Sequence, residues 1–119
     1  MDRTKPTSQM LGRFQPWHRG HTELFKKMHA ETGQVVIMIR DTIIDDDNPY
    51  PKLEVKEQIT LTLINEGFTF CLDFDIIVVP NITNIGYGRD VGYNFTQYDL
   101  GEDIHRISAT QLRNDASKS

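Results

Sequence analysis

The segment TSQMLGRFQPWHRGHTELFKKMHAETGQVVIMIR, Thr7–Arg40, decides the fold. Its opening, TSQMLGRF (Thr7–Phe14), reads as a first strand that is polar at its start. HTELFKKMHAETG follows as a helix. Leu24, Phe25 and Met28 fall on one helical face, Glu23 stands four residues before Lys27, and Gly33 is placed to end the element. QVVIMIR (Gln34–Arg40) is then a continuous apolar run, as expected of a strand covered on both faces.

The pattern repeats downstream. DTIIDDDNPYP is a loop, set by its acidic run and two prolines. LEVKEQITLTLINEG predicts a second helix with Val55, Ile59, Leu63 and neighbouring Ile64 on a shared side and Gly67 after its end. DIIVVPNI is a third strand. NIGYGRDVGYNFTQYDL, rich in glycine and aromatics, reads as loop plus a further strand. EDIHRISATQLRNDASKS closes with a short strand near Ile104–Ile107 and a short helix. Strands alternating with helices predict an α/β fold. The expectation is a three-layer Rossmann-like sandwich with a mainly parallel sheet of about five strands, in one domain spanning 1–119. In such sheets ligands bind beyond the carboxyl ends of the strands, where strand order reverses. GRFQPWHRGH (Gly12–His21) lies at one such end, and ISATQLR (Ile107–Arg113) at another strand-to-helix turn.

Composition narrows the class. The chain has 119 residues and a formal net charge of −4, which argues against nucleic acid as a partner, since such binders carry a basic face. No apolar run approaches the roughly 18 residues of a membrane span. The start, MDRTKPTSQ, has no apolar segment of the secretory kind, so the reading is an intracellular, cytoplasmic protein. Cys71 is the single cysteine. It excludes an internal disulfide, and its setting in FTFCLDF suggests a buried thiol.

His18 and His21 stand three residues apart, with Arg13 close before them. As zinc ligands they need at least one more partner, and none stands at recognisable spacing. His29 and His105 read as ordinary surface or core residues. The remaining reading for His18 and His21 is anion binding. Gly20 removes a side chain where backbone must approach a ligand, and a helix starting at about His21 points its free N–H groups into the same space. A positive helix end disfavours imidazolium, but a neutral ring still donates one hydrogen bond. Near the other end, Ser108-Ala109-Thr110-Gln111 fits an S-x-x-Q capping box and places a helix start at Ser108. Arg113 then falls near a helix amino end, where a cation works against the dipole. A phosphate held by Ser108, Thr110 and Arg113 removes that conflict; a frayed tail with an accidental cap explains the residues equally well.

The pair of segments resembles the two signatures of the HxGH-type α/β nucleotidyltransferase superfamily: GRFQPWHRGH resembles HxGH, and ISATQLR resembles ISxTxxR. Members of that superfamily move a nucleoside monophosphate from a nucleoside triphosphate to a phosphate-bearing small-molecule acceptor, releasing pyrophosphate. The resemblance implies His18, His21 and Arg113 as catalytic residues. It implies Gly12, Arg13, Phe14, Gly20, Ser108 and Thr110, with those three, as the nucleotide-binding set. It also implies Mg²⁺ bridging triphosphate oxygens with few protein ligands, no metal held by the protein alone, and a homodimer as one assembly. The GRFQP lead-in, the terminal arginine of ISATQLR and Asn48-Pro49-Tyr50 resemble the nicotinamide-nucleotide adenylyltransferase branch. The length resembles the compact glycerol-3-phosphate cytidylyltransferases, so adenylyl and cytidylyl transfer both stand.

Arg89, Asp90 and Tyr93, in GYGRDVGY, lie where the superfamily recognises base or acceptor; turn glycines beside a surface ion pair explain them equally well. Asp45-Asp46-Asp47 lacks the pattern of a calcium loop and reads as a solvated loop. Trp17 either packs under the histidine loop or flanks a ligand. A nucleotide-binding module without transfer activity, and a small metal-binding protein using His18 and His21, are the competing classes.

Overall fold

The computed structural model describes residues 1–89 and 92–98. Within them the chain runs β1 (Ser8–Gly12), α1 (Arg19–Thr32), β2 (Val35–Arg40), α2 (Lys52–Asn65) and β3 (Phe74–Val79). The strands form one sheet in the order β1-β2-β3, with both pairings parallel. Gly12 lies opposite Ile39, and Arg40 opposite Val79.

Alternation along the strands sets the core. Met10, Ile37 and Ile76 share a register row, and Val35 lies beside Phe74. All five are buried on one face, and Phe25 and Met28 of α1 with Val55, Ile59 and Leu63 of α2 complete the same cluster. Gly33 ends α1 at φ 79°, and its N–H donates to the His29 carbonyl at 2.7 Å. That left-handed turn favours glycine. At the same end of α1, His29 Nε2 lies 2.9 Å from Asp73 Oδ1. The Thr69 N–H, and then His29, hold the Asp73 carboxyl below its ordinary pKa.

The three-layer, five-stranded expectation is overturned. Among the described residues there are two helices and a three-stranded parallel sheet. Both crossovers step sideways in the same direction, and right-handed connections then lay both helices on one face. On the opposite face Val36, Met38 and Arg40 are only half-buried, so among the described residues helices cover QVVIMIR on one side alone. Strand order does not reverse among these strands, and the histidine loop leaves the carboxyl end of an edge strand, β1. Residues 80–89 and 92–98 form no strand. Glycines at 86, 88 and 92 interrupt any pairing run there, Gly92 at φ 83°. The strand near Ile104–Ile107, the helix from Ser108 and His105 lie outside the described residues.

Three local expectations also change. Ile64 turns outward from α2, being 49% exposed. Glu23 pairs with Lys26 at 3.7 Å, not with Lys27, because Lys26 also reaches Glu66 beyond α2 at 2.9 Å. Cys71 is exposed rather than buried. It occupies the turn before β3 at φ 68°, where its N–H donates to the Phe74 carbonyl at 2.8 Å. Among the described residues no helix is long and apolar enough to cross a membrane.

Candidate functional site

The loop between β1 and α1 is built on aromatic packing. Phe14 takes φ 53° and folds its ring back over the end of the strand. A Cβ on Gly12 would lie 2.9 Å from carbons of that ring, so only glycine fits without displacement. Trp17 is buried, its ring centroid 5.0 Å from that of Phe14, and its Nε1–H donates to Thr22 Oγ1 at 2.8 Å. Trp17 therefore packs under the loop.

Side-chain amides fasten the loop to α2 and its lead-in. Gln15 Nε2 donates to the Tyr50 carbonyl and the Tyr50 N–H donates back to Gln15 Oε1, both at 2.8 Å. Gln58 does the same for Trp17, donating to its carbonyl at 3.1 Å and accepting from its N–H at 3.4 Å. Arg13 Nη1 donates to Oδ1 of the buried Asn48 at 3.3 Å. Asn48 Nδ2 in turn donates to Asp45 Oδ1 at 3.1 Å, an oxygen that also takes the N–H groups of Asp47 and Asn48 at 2.9 and 2.7 Å. Asp45 thus shapes the turn that presents Asn48. Gln15 and Gln58 escaped the sequence reading; a glutamine inside an aromatic loop, and another beside a helix's apolar face, were the only signals.

The two histidines take the N-cap and N3 positions of α1. His18 Nδ1 accepts from the Gly20 N–H, and His21 Nδ1 accepts from the His18 N–H, each at 3.0 Å. This is a capping box made of imidazoles, with the reciprocal geometry usually supplied by Ser/Thr and Glu/Gln. An Nδ1 that accepts carries no proton in a neutral ring, so each ring keeps its hydrogen on Nε2. The rings stack with centroids 3.8 Å apart and 27° between planes. His21 also meets Phe14 edge-on at 5.0 Å and Trp17 at 5.3 Å. Burial lowers the pKa of His18; burial, and then His18 itself, lowers that of His21 to about 3. At neutral pH the pair is thus two uncharged rings, each with one N–H donor, fixed to the amino end of a helix.

The described residues bring together Gly12, Arg13, Phe14, His18, Gly20 and His21, all within one strand end, one loop and one helix turn. Gly20 is buried. Arg89 and Tyr93 are exposed, and no hydrogen bond, ion pair or ring contact ties either to the histidine loop. Ser108, Thr110, Arg113 and Asp90 lie outside the described residues. Among the described residues no group of three or more His, Cys, Asp or Glu side chains gathers where it would hold a metal ion. A cavity of about 350 Å³ opens beside Trp17, His18 and Arg19, and Thr22, Glu23, Thr62 and Glu66 also line it. Both carboxylates of its lining, Glu23 and Glu66, are paired with Lys26.

Neutral, pre-oriented N–H donors on a loop that also carries Arg13 match the needs of an oxyanion more than those of a cation. No protein-family model matches the chain. Over 87 residues it is 31% identical to a nicotinamide-nucleotide adenylyltransferase of Methanococcus maripaludis, a match covering 64% of this chain and 49% of the relative. The chain thus spans about half the length of that relative. This is distant, partial homology to a nucleotidyltransferase, and the parallel α/β sheet is of the Rossmann-like kind that serves nucleotide binding.

Proposed function

We propose that the protein is a nucleotidyltransferase, moving an adenylyl group from ATP to a phosphate-bearing small molecule. The observation that carries this is the stacked pair His18–His21, whose two Nε2–H donors are fixed side by side by the capping box. The partial match to an adenylyltransferase favours adenylyl over cytidylyl transfer.

In this reading an oxygen of the acceptor phosphate attacks the α-phosphorus in line. A new P–O bond forms, the bond to the β-phosphate bridge breaks, and pyrophosphate leaves with the electron pair. No covalent enzyme intermediate is needed, so the protein's work is positioning and charge stabilisation. His18 and His21 donate to oxygens of the triphosphate as negative charge moves towards the leaving group. Arg13 reaches a phosphate, held in place by Asn48. Ser108, Thr110 and Arg113 are assigned to the β- and γ-phosphates on their sequence pattern. Magnesium would be bound mainly by the triphosphate oxygens, with few ligands from the protein, and would supply charge neutralisation there.

The test is pyrophosphate release with ATP or CTP, Mg²⁺ and a panel of phosphorylated acceptors, alongside thermal-shift titrations of each nucleotide. A nucleotide at about 100 times its dissociation constant stabilises the fold by roughly 2.7 kcal/mol. Release with ATP and a phosphorylated acceptor supports the reading. Stabilisation without release from any pair makes the protein a binding module, and no stabilisation by either nucleotide removes the reading.

A further inference from the structure

The carboxyl edge of the sheet carries a second cation that the histidine loop does not use. Arg40 is the last residue of β2, the central strand of the three. Its Nη2 donates to Oδ1 of Asn81, just beyond β3, at 2.8 Å. Its Nε is buried and has no hydrogen-bond partner among the described residues. The carboxylate next along the chain, Asp41, is taken by Lys52 at 2.9 Å, and among the described residues no ion pair involves Arg40. A guanidinium keeps its charge at every physiological pH, and a buried N–H without an acceptor is costly. The charge is therefore uncompensated by any described carboxylate, and the Nη2 bond to Asn81 lies at the exposed surface, where an outside anion can approach.

Arg13 repeats the arrangement one strand away. Gly12 lies opposite Ile39, so Arg13 and Arg40 follow at the ends of adjacent strands, whose backbones run about 4.8 Å apart. Each guanidinium is held by an asparagine oxygen, Asn48 for Arg13 and Asn81 for Arg40. An amide oxygen orients a guanidinium without cancelling its charge; a carboxylate in the same place would do both. Behind Asn48 stands Asp45, whereas among the described residues no carboxylate is hydrogen-bonded to Asn81. Arg40 is therefore the less compensated of the two charges.

We propose that Arg40 binds the phosphate monoester of the acceptor, with Arg13 beside it, and that Asn81 is the positioning residue keeping Arg40 both oriented and charged. The inference rests on the transfer reading, since that reading is what requires a second phosphate next to the triphosphate.

The test uses the full chain and two probes, inorganic phosphate for the acceptor group and inorganic tripolyphosphate for the nucleotide tail, each titrated calorimetrically. Arg40→Gln is expected to weaken phosphate roughly tenfold or more, the effect of one lost charge-assisted hydrogen bond, and to leave tripolyphosphate unchanged. Asn81→Asp is expected to weaken phosphate similarly while its melting temperature stays level or rises, because the new carboxylate neutralises Arg40. A merely structural asparagine would not produce that opposition. Asn81→Ser, which keeps a neutral oxygen, is expected to retain most of the affinity.

Phosphate binding undiminished in Arg40→Gln overturns the proposal. So does an equal loss of both probes, which would place Arg40 on the nucleotide tail. Loss of tripolyphosphate in His18→Asn is the separate check on the transfer reading. Should tripolyphosphate survive that change while Arg40→Gln still loses phosphate, the transfer reading fails and Arg40 remains a phosphate-binding residue.

Discussion

His18 and His21 hold one another: the backbone N–H of the first donates to Nδ1 of the second at 3.0 Å, and their rings stack at 3.8 Å. The spacing of the motif is thus the spacing of a helix cap. The cap uses Nδ1 of each ring and the proposed mechanism uses Nε2, so the two roles can be separated by choice of substitution.

His18→Asn keeps an excellent N-cap and discards the Nε2–H donor, whereas His18→Ala discards both. Cap loss costs about 1 kcal/mol, so the alanine variant is expected to be less stable by that amount and the asparagine variant to match the wild type. Both are expected to lose about 10²–10³ in turnover, the usual effect of removing one oxyanion donor. Urea unfolding and pyrophosphate release measure the two effects independently. An asparagine variant with full turnover would take His18 out of the chemistry.

Stability is expected to fall with acid in a window set by His21. Its pKa drops from 6.5 to about 3 on folding, so the unfolded chain binds the extra proton throughout that interval. Stability is therefore fully present above pH 6.5, declines as pH falls, and the loss is complete only near the folded value. At pH 5 the deficit is about 2 kcal/mol from this ring, and His18, also lowered by burial, adds in the same direction. His21→Gln preserves the reciprocal cap and removes the titration. Equal pH slopes for the variant and the wild type in urea unfolding between pH 5 and 8 would contradict this account.

Gly12→Ala would place a methyl 2.9 Å from the Phe14 ring. The expected cost is about 1–3 kcal/mol of overpacking, with weakened nucleotide binding as the loop shifts. Phe14→Leu in the Gly12→Ala background is expected to recover part of the stability, since the obstructing ring is gone. A double variant no more stable than expected from adding the two single losses would show that the clash is not the cause.

Gln58→Ala removes both hydrogen bonds that hold the Trp17 backbone against α2. Leaving those groups without a partner is expected to cost about 1–3 kcal/mol. The looser loop should also bind ATP more weakly in a thermal-shift titration. Unaltered ATP affinity in a destabilised variant would confine Gln58 to a structural role.

Much of the element order was legible because it is local. The apolar runs of β2 and β3 and the 3.6-residue rhythm of α1 and α2 need no knowledge of partners. What covers a strand is not local: Val36 and Met38 are as apolar as Ile37 and Ile39, yet they lie on the face away from the helices. Cys71 misled for a related reason, since Phe70 and Leu72 give it a core-like neighbourhood while the chain there is a turn. The helix start was set two residues late because histidine is seldom an N-cap, and the cap was visible only in the fold. Asn48, Gln15 and Gln58 act across 35 to 41 residues of chain, beyond any pattern of neighbours.

Trp17 is the single tryptophan of the chain. Its indole sits 5.3 Å from the His21 ring and bonds to Thr22 in the first turns of α1. Intrinsic emission excited at the long-wavelength edge therefore comes from this one place, and the protein carries an optical probe of the histidine loop. Binding of a colourless phosphate beside His21 is expected to change that emission without a label, as is any repacking of the loop.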